Sequence, residues 1–172
     1  MRPGQLLIAT PLLRDPNFDR AVVYLFSHED GAAGVVLNRP TELDVADVLP
    51  GWERASASPA LVHLGGPVAF EHAVALGTGT HPEMVTPDIG VVDLEGDPDA
   101  LRPASIRLFA GYAGWADGQL EAEVEESAWF VVDGTPLDVL DPDPTTLWRR
   151  VLARQGGRLR SFATYPDDPL LN

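Results

Sequence analysis

Between Gly4 and Thr10-Pro11 lie four successive apolar residues, Leu6-Leu7-Ile8-Ala9. A run this short, bounded by glycine and proline, predicts a buried strand over 5–9, and it is too short for the core of a secretion signal. Further brief strands are predicted over 21–27, 34–38, 60–64, 73–77, 90–93, 105–110 and 129–132, each rich in Val, Leu, Ile or aromatic residues. Two stretches are continuous rather than alternating: Ala21-Val22-Val23-Tyr24-Leu25-Phe26 and Gly34-Val35-Val36-Leu37. They should lie centrally, covered on both faces. No apolar run approaches the ~18 residues of a membrane span.

Helices show themselves by their starts. Asp143-Pro144 is an N-cap followed by proline in the first turn, after which Leu147, Trp148, Val151 and Leu152 fall on one face. That face is expected to be buried, with Arg149 and Arg150 solvated and Gly156-Gly157 ending the helix. Shorter helical turns are predicted over 44–49, closed by Pro50-Gly51, and over 97–102. The stretch 117–126 alternates like a strand, yet its Glu and Ala content and the Leu120/Val124 spacing favour a helix capped by Asp117. Residues 165–172 should lack regular structure.

The chain is 172 residues with 45% apolar and 22% charged residues, a soluble globular composition expected to form one domain over 1–172. It contains no cysteine, which removes disulfides, thiolate zinc sites and cysteine nucleophiles. It also contains no lysine: all 12 basic residues are arginine, so phosphate-binding loops of the GxxxxGK type and Schiff-base chemistry are excluded. With 26 acids the net charge is −14, a poor basis for binding a polyanion, and no direct nucleic-acid or membrane partner is expected. A cytoplasmic setting is expected from the missing export signal and cysteines.

Candidate chemistry is sparse. His28, His63, His72 and His81 form no metal-ligand spacing, and no metal or cofactor is expected. No serine sits in GxSxG. Gly77-Thr78-Gly79-Thr80-His81-Pro82 departs from a dinucleotide-binding loop at its last position. Arg149, Arg150, Arg154, Arg158 and Arg160 form a basic run whose simplest role is helix-dipole complementarity and pairing with the chain's own acids.

Three segments look over-specified for ordinary loops. They are 31–40, which ends in Asn38-Arg39-Pro40; His63-Leu64-Gly65-Gly66-Pro67-Val68; and Gly111-Tyr112-Ala113-Gly114-Trp115, running on to Gln119-Leu120-Glu121. Glycines where a buried strand ends let backbone approach a ligand or another backbone closely. Either one concave site forms there, or the segments are a structural knot.

These segments, with Gly4-Gln5-Leu6-Leu7-Ile8-Ala9, Asp15-Pro16-Asn17-Phe18-Asp19-Arg20, Trp129 and Asp168-Pro169-Leu170-Leu171-Asn172, together resemble the AlgH/YqgE family of small bacterial proteins. Departures are Val124, where isoleucine is usual, and residues 41–59 and 78–103, which follow no family pattern. The resemblance implies an α+β fold in which a bent, mixed, largely antiparallel sheet folds toward a pseudo-barrel, with a few short helices packed outside. It implies no catalytic residues, and the label of transcriptional regulator carried by some members reflects a genetic association with alginate production. The expected function is a binding or regulatory protein holding a small polar ligand or a partner chain, with Asn38, Arg39, Gly65, Gly66, Tyr112, Gly114, Trp115, Gln119 and Glu121 as ligand-binding candidates. The alternative is a hydrolase using Glu121 or Glu123 as general base with Arg39 stabilising an anion. A shared site requires the ends of the strands over 34–38, 60–64 and 105–110 to converge.

Overall fold

The computed structural model describes residues 1–101 and 104–166. Its strands, in chain order, are β1 (Gln5–Ala9), β2 (Val22–Glu29), β3 (Gly31–Val36), β4 (Pro40–Asp44), β5 (Leu61–Leu64), β6 (Val68–Thr78), β7 (Glu83–Met84), β8 (Ile89–Val91), β9 (Ile106–Trp115) and β10 (Trp129–Asp133). They form one curled sheet with the hydrogen-bonded path β10-β1-β2-β3-β9-β6-β8-β7; β5 flanks β9, and β4 lies outside β5. Named strands pair antiparallel except β5 with β9. The fold is α+β, a half-barrel with short helices packed against it.

Alternation of side chains along each strand explains how the continuous apolar runs are used. Leu6, Ile8, Val22, Tyr24 and Val35 enter one cluster; Leu7, Ala9, Val23, Leu25 and Val36 enter another. β1, β2 and β3 are therefore covered on both faces, as their unbroken hydrophobicity predicts.

The first cluster is closed by α3 (Pro136–Val139), α4 (Leu147–Arg154) and α5 (Gly157–Phe162). Leu147, Trp148, Val151 and Leu152 are all buried, as the helical spacing predicts. Arg150 is exposed, but Arg149 is half-buried and donates to the Ala163 carbonyl, because α5 folds back on α4 immediately after Gly156. Pro144–Thr146 forms a single 3-10 turn before α4 begins. The basic run behaves as expected: Arg150 pairs with Asp141 at 2.6 Å and Arg154 with Asp138 at 2.6 Å.

The second cluster is closed by α2 (Gln119–Glu125), and a third, around Val45, Trp52, Val62 and Leu108, by α1 (Val45–Val48) and the turn at Trp52–Arg54. The helix expected over 117–126 is present, but Gly118 in the left-handed region precedes it and Asp117 provides no cap. A 3-10 turn covers Pro98–Leu101; Arg102 of the expected turn and residues 167–172 of the expected irregular tail lie outside the described residues.

Candidate functional site

β9 corrects the expected site geometry. Its predicted end at Ala110 is not an end: the strand runs through Gly111-Tyr112-Ala113-Gly114-Trp115. Gly111 makes this possible with φ +69°, a kink at which a Cβ would lie 2.6 Å from the Val68 carbonyl oxygen. Before the kink β9 pairs with β5 and β6; beyond it, with β3 on one side and, at Tyr112 opposite Val68, still with β6 on the other.

The β3–β9 pairing is antiparallel, with Ala32 opposite Trp115. Trp115 therefore leads to Gln119 at the start of β3, whereas Asn38 and Arg39 leave its other end, beyond Val36. Four residue steps along the strand take Ala32 to Val36, roughly 13 Å. The strand ends expected over 34–38, 60–64 and 105–110 do meet, around Gly65, but Trp115, Gln119 and Glu121 lie toward the other end of β3, so the nine candidate residues fall into three groups.

The first group is a knot of backbone. The Gly65 N–H donates to the Ala110 carbonyl at 2.8 Å, and its carbonyl accepts from Val36 N–H at 2.8 Å. Gly66 crosses β9 so closely that a Cβ would lie 2.2 Å from the Tyr112 carbonyl carbon. These glycines bring chain against chain. Tyr112 and Gly114 lie on the neighbouring face, where with Ala32, Ala33 and Trp115 they line a shallow depression.

The second group is an aromatic clamp. Glu123 Oε2 accepts from Trp115 Nε1 at 2.9 Å and from Trp129 Nε1 at 2.8 Å, while Oε1 accepts from Gln119 Nε2 at 2.9 Å. Phe18 stacks on Trp115 and meets Trp129 edge-on. Gln119 Oε1 accepts from Ala116 N–H at 3.0 Å, closing the turn that leads into α2. Glu121 points outward to His28 Nε2 at 2.8 Å; hydrogen bonds from its own backbone N–H and from His28 hold its carboxyl below the usual range. Neither carboxylate of the hydrolase alternative shares a site with Arg39, and three donors occupy Glu123.

The third group holds the candidate site. Asn38 Oδ1 accepts from Val22 N–H at 2.9 Å and its Nδ2 donates to the Arg20 carbonyl at 2.8 Å. Arg39 donates to the Asp19 carbonyl. These bonds dock the turn before β2 against the exit of β3 and bring Arg20 and Arg39 to α4. There, Asp19, Arg20, Asn38, Arg39, Trp148 and Arg149 line a groove of about 390 Å³. A smaller hollow shares Asp19, Arg20 and Trp148 and adds Arg14. Burial lowers the pKa of Arg39, opposed by Asp19.

Asn38 and Arg39, singled out from the sequence as ligand-binding candidates, line this groove; Arg20, Arg149 and Trp148 were not among those candidates. The Asp19-Arg20 pair and the basic run were the available signals; only tertiary contact joins them. Sequence reasoning also missed Arg107, whose buried guanidinium donates to the carbonyls of Ala57, Ser58, Pro59 and Asp141. Burial lowers its pKa to about 10, opposed by Asp141. Four carbonyl acceptors make it a bracket for two loops. Among the described residues no group of three or more His, Asp or Glu side chains is placed to hold a metal ion, and no helix is long and apolar enough to cross a membrane.

A family model described as AlgH-like matches residues 6–160. A UPF0301 protein of Streptomyces avermitilis is 52% identical, over 98% of this chain and 94% of its own length. One from Thermobifida fusca is 46% identical with the same coverages, 98% and 94%. The crystal structure of a Corynebacterium diphtheriae protein superposes with a TM-score of 0.90 at 30% identity, covering 96% of this chain and 93% of that one. The solution structure of the AlgH protein from Pseudomonas aeruginosa gives a TM-score of 0.69 at 28% identity, covering 96% and 94%.

Proposed function

The chain belongs to the AlgH-like family, and from that premise we propose that it is a binding protein whose site is the arginine-lined groove beside Trp148. Its ligand is a small polar anion bearing a carboxylate or phosphate. One observation carries this reading: Arg20, Arg39 and Arg149 face one groove in a chain of net charge −14.

Clustered like charges repel, and the groove offsets this with fixed scaffolding. Arg20 stands over the Trp148 ring at 4.8 Å and donates to the Tyr165 and Pro166 carbonyls. The guanidinium fork matches carboxylate and phosphate oxygens, and a partly buried site weakens screening of that attraction. Asp19 on the rim adds an acceptor for a ligand hydroxyl or amine.

The regulatory label fits this reading through ligand or protein contacts, because the rest of the surface repels duplex DNA. A cytoplasmic setting is part of the proposal.

Calorimetric titration with citrate and with inorganic phosphate at low ionic strength tests the proposal. Saturable binding of one anion per chain is expected, weakened at least tenfold by Arg39→Gln or Arg149→Gln and unchanged by Arg158→Gln. No saturable heat, or equal affinity in all variants, overturns it.

A further inference from the structure

The third hydrophobic cluster is covered along only part of its length. Trp52 and α1 shield the sheet where Ile106 lies, but from Leu108 toward Ala110 the same face opens into a groove of about 300 Å³. Leu43 from β4, Val48 from α1, Val62 from β5 and Phe70 from β6 wall it. Three of these are far out of the core: Leu43 is 44% exposed, Val48 46% and Phe70 55%. Large apolar side chains exposed together around one hollow mark an interaction surface, whereas isolated ones do not.

The charge around the groove says what covers it. Glu71 lines it, and Glu42, Asp44 and Asp47 are exposed on the elements that form its walls. Residues 40–49 and 68–73 contain no arginine, and the exposed His72 leans on Glu71 at 3.6 Å. A second copy docking by the same face would set these acids against their equivalents, which opposes symmetric pairing. We propose that this groove docks a segment of a partner protein in which paired apolar side chains are flanked by lysine or arginine. The apolar pair fills the floor, and the flanking cations meet Glu71 and Asp47. This surface is separate from the arginine groove, which lies at α4.

A random 12-residue peptide display library panned on the immobilised full-length protein tests this. Recovered peptides are expected to combine Leu, Ile, Phe or Trp pairs with Lys or Arg. They should lose at least tenfold affinity for Phe70→Asp and for Glu71→Arg, and none for Arg158→Gln. Phe70 and Glu71 are exposed, so both variants should keep the wild-type melting temperature; Val48→Asp is a second groove variant should one of them not fold. Three outcomes overturn the proposal: no enrichment over a blank surface, acidic peptides, or peptides that bind the groove variants equally. A concentration-dependent dimer in sedimentation that Phe70→Asp abolishes also overturns it, by making a second copy the occupant.

Discussion

The guanidinium carbon of Arg20 stands 4.8 Å from the centre of the Trp148 ring. These residues are far apart in the chain, and their contact joins the turn before β2 to the helix that closes the core. The indole is itself fixed, donating from Nε1 to the Ala9 carbonyl at 2.9 Å. Trp148 thus serves both the core and the groove, which makes it a severe test of the packing. Trp148→Ala should cost roughly 3–5 kcal/mol in urea unfolding, in the range for a large buried aromatic. Unchanged stability would contradict its place in the core.

Glu123 gives a sharper contrast between structure and chemistry. Removing its carboxylate by Glu123→Ala leaves two indole N–H groups without their acceptor, at about 1–3 kcal/mol for each buried donor. Loss of roughly 2–6 kcal/mol and a changed tryptophan emission spectrum are expected. A general base, in contrast, would be replaceable with little effect on stability.

The two glycine segments should respond differently. Gly65→Ala sets a Cβ 2.2 Å from the Gly111 carbonyl oxygen, against backbone that cannot move aside. Gly114→Ala meets its nearest neighbour, the Tyr112 ring, at 3.4 Å. Thermal melting should show the first variant strongly destabilised and the second close to wild type. Similar melting temperatures for both would remove the backbone knot.

His63 predicts a pH dependence. It is fully buried, its Nδ1 is 3.1 Å from the Leu61 carbonyl, and its Nε2 has no partner among the described residues. Burial and the nearby Arg107 lower its pKa to about 4. The unfolded chain takes up the proton near the ordinary value of about 6.5, so stability is lost as pH falls from there toward 4. The loss from this one group approaches about 3 kcal/mol. Urea midpoints at pH 7 and pH 4.5 should differ less in His63→Leu than in the wild type. An equal difference would assign the acid sensitivity to other groups.

Much of the fold is legible in the sequence because its signals are local. β1 reads directly from Leu6-Leu7-Ile8-Ala9, and the buried face of α4 from Leu147, Trp148, Val151 and Leu152. β4 escapes because Pro40-Thr41-Glu42-Leu43-Asp44 is an outer strand with mostly exposed side chains and no alternating pattern. β9 looks complete at Ala110 because a kinking glycine and a turn glycine have the same sequence signature. The candidate groove was half legible for the same reason. Asn38 and Arg39 stand out within one motif, but Arg20 and Arg149 become their neighbours only through the docking of α4. Gln119 and Glu121 share a motif with Tyr112 and Trp115, yet the antiparallel register carries them to the opposite end of β3 from Asn38.

The central claim is that Arg20, Arg39 and Arg149 form one anion site. Its most direct test follows the arginine Nε–Hε signals by ¹⁵N NMR during titration with inorganic phosphate at constant ionic strength. Arg20, Arg39 and Arg149 should shift together along one saturating curve, while Arg158 and Arg160 stay in place. A small, non-saturating drift shared by all the arginines would contradict the site.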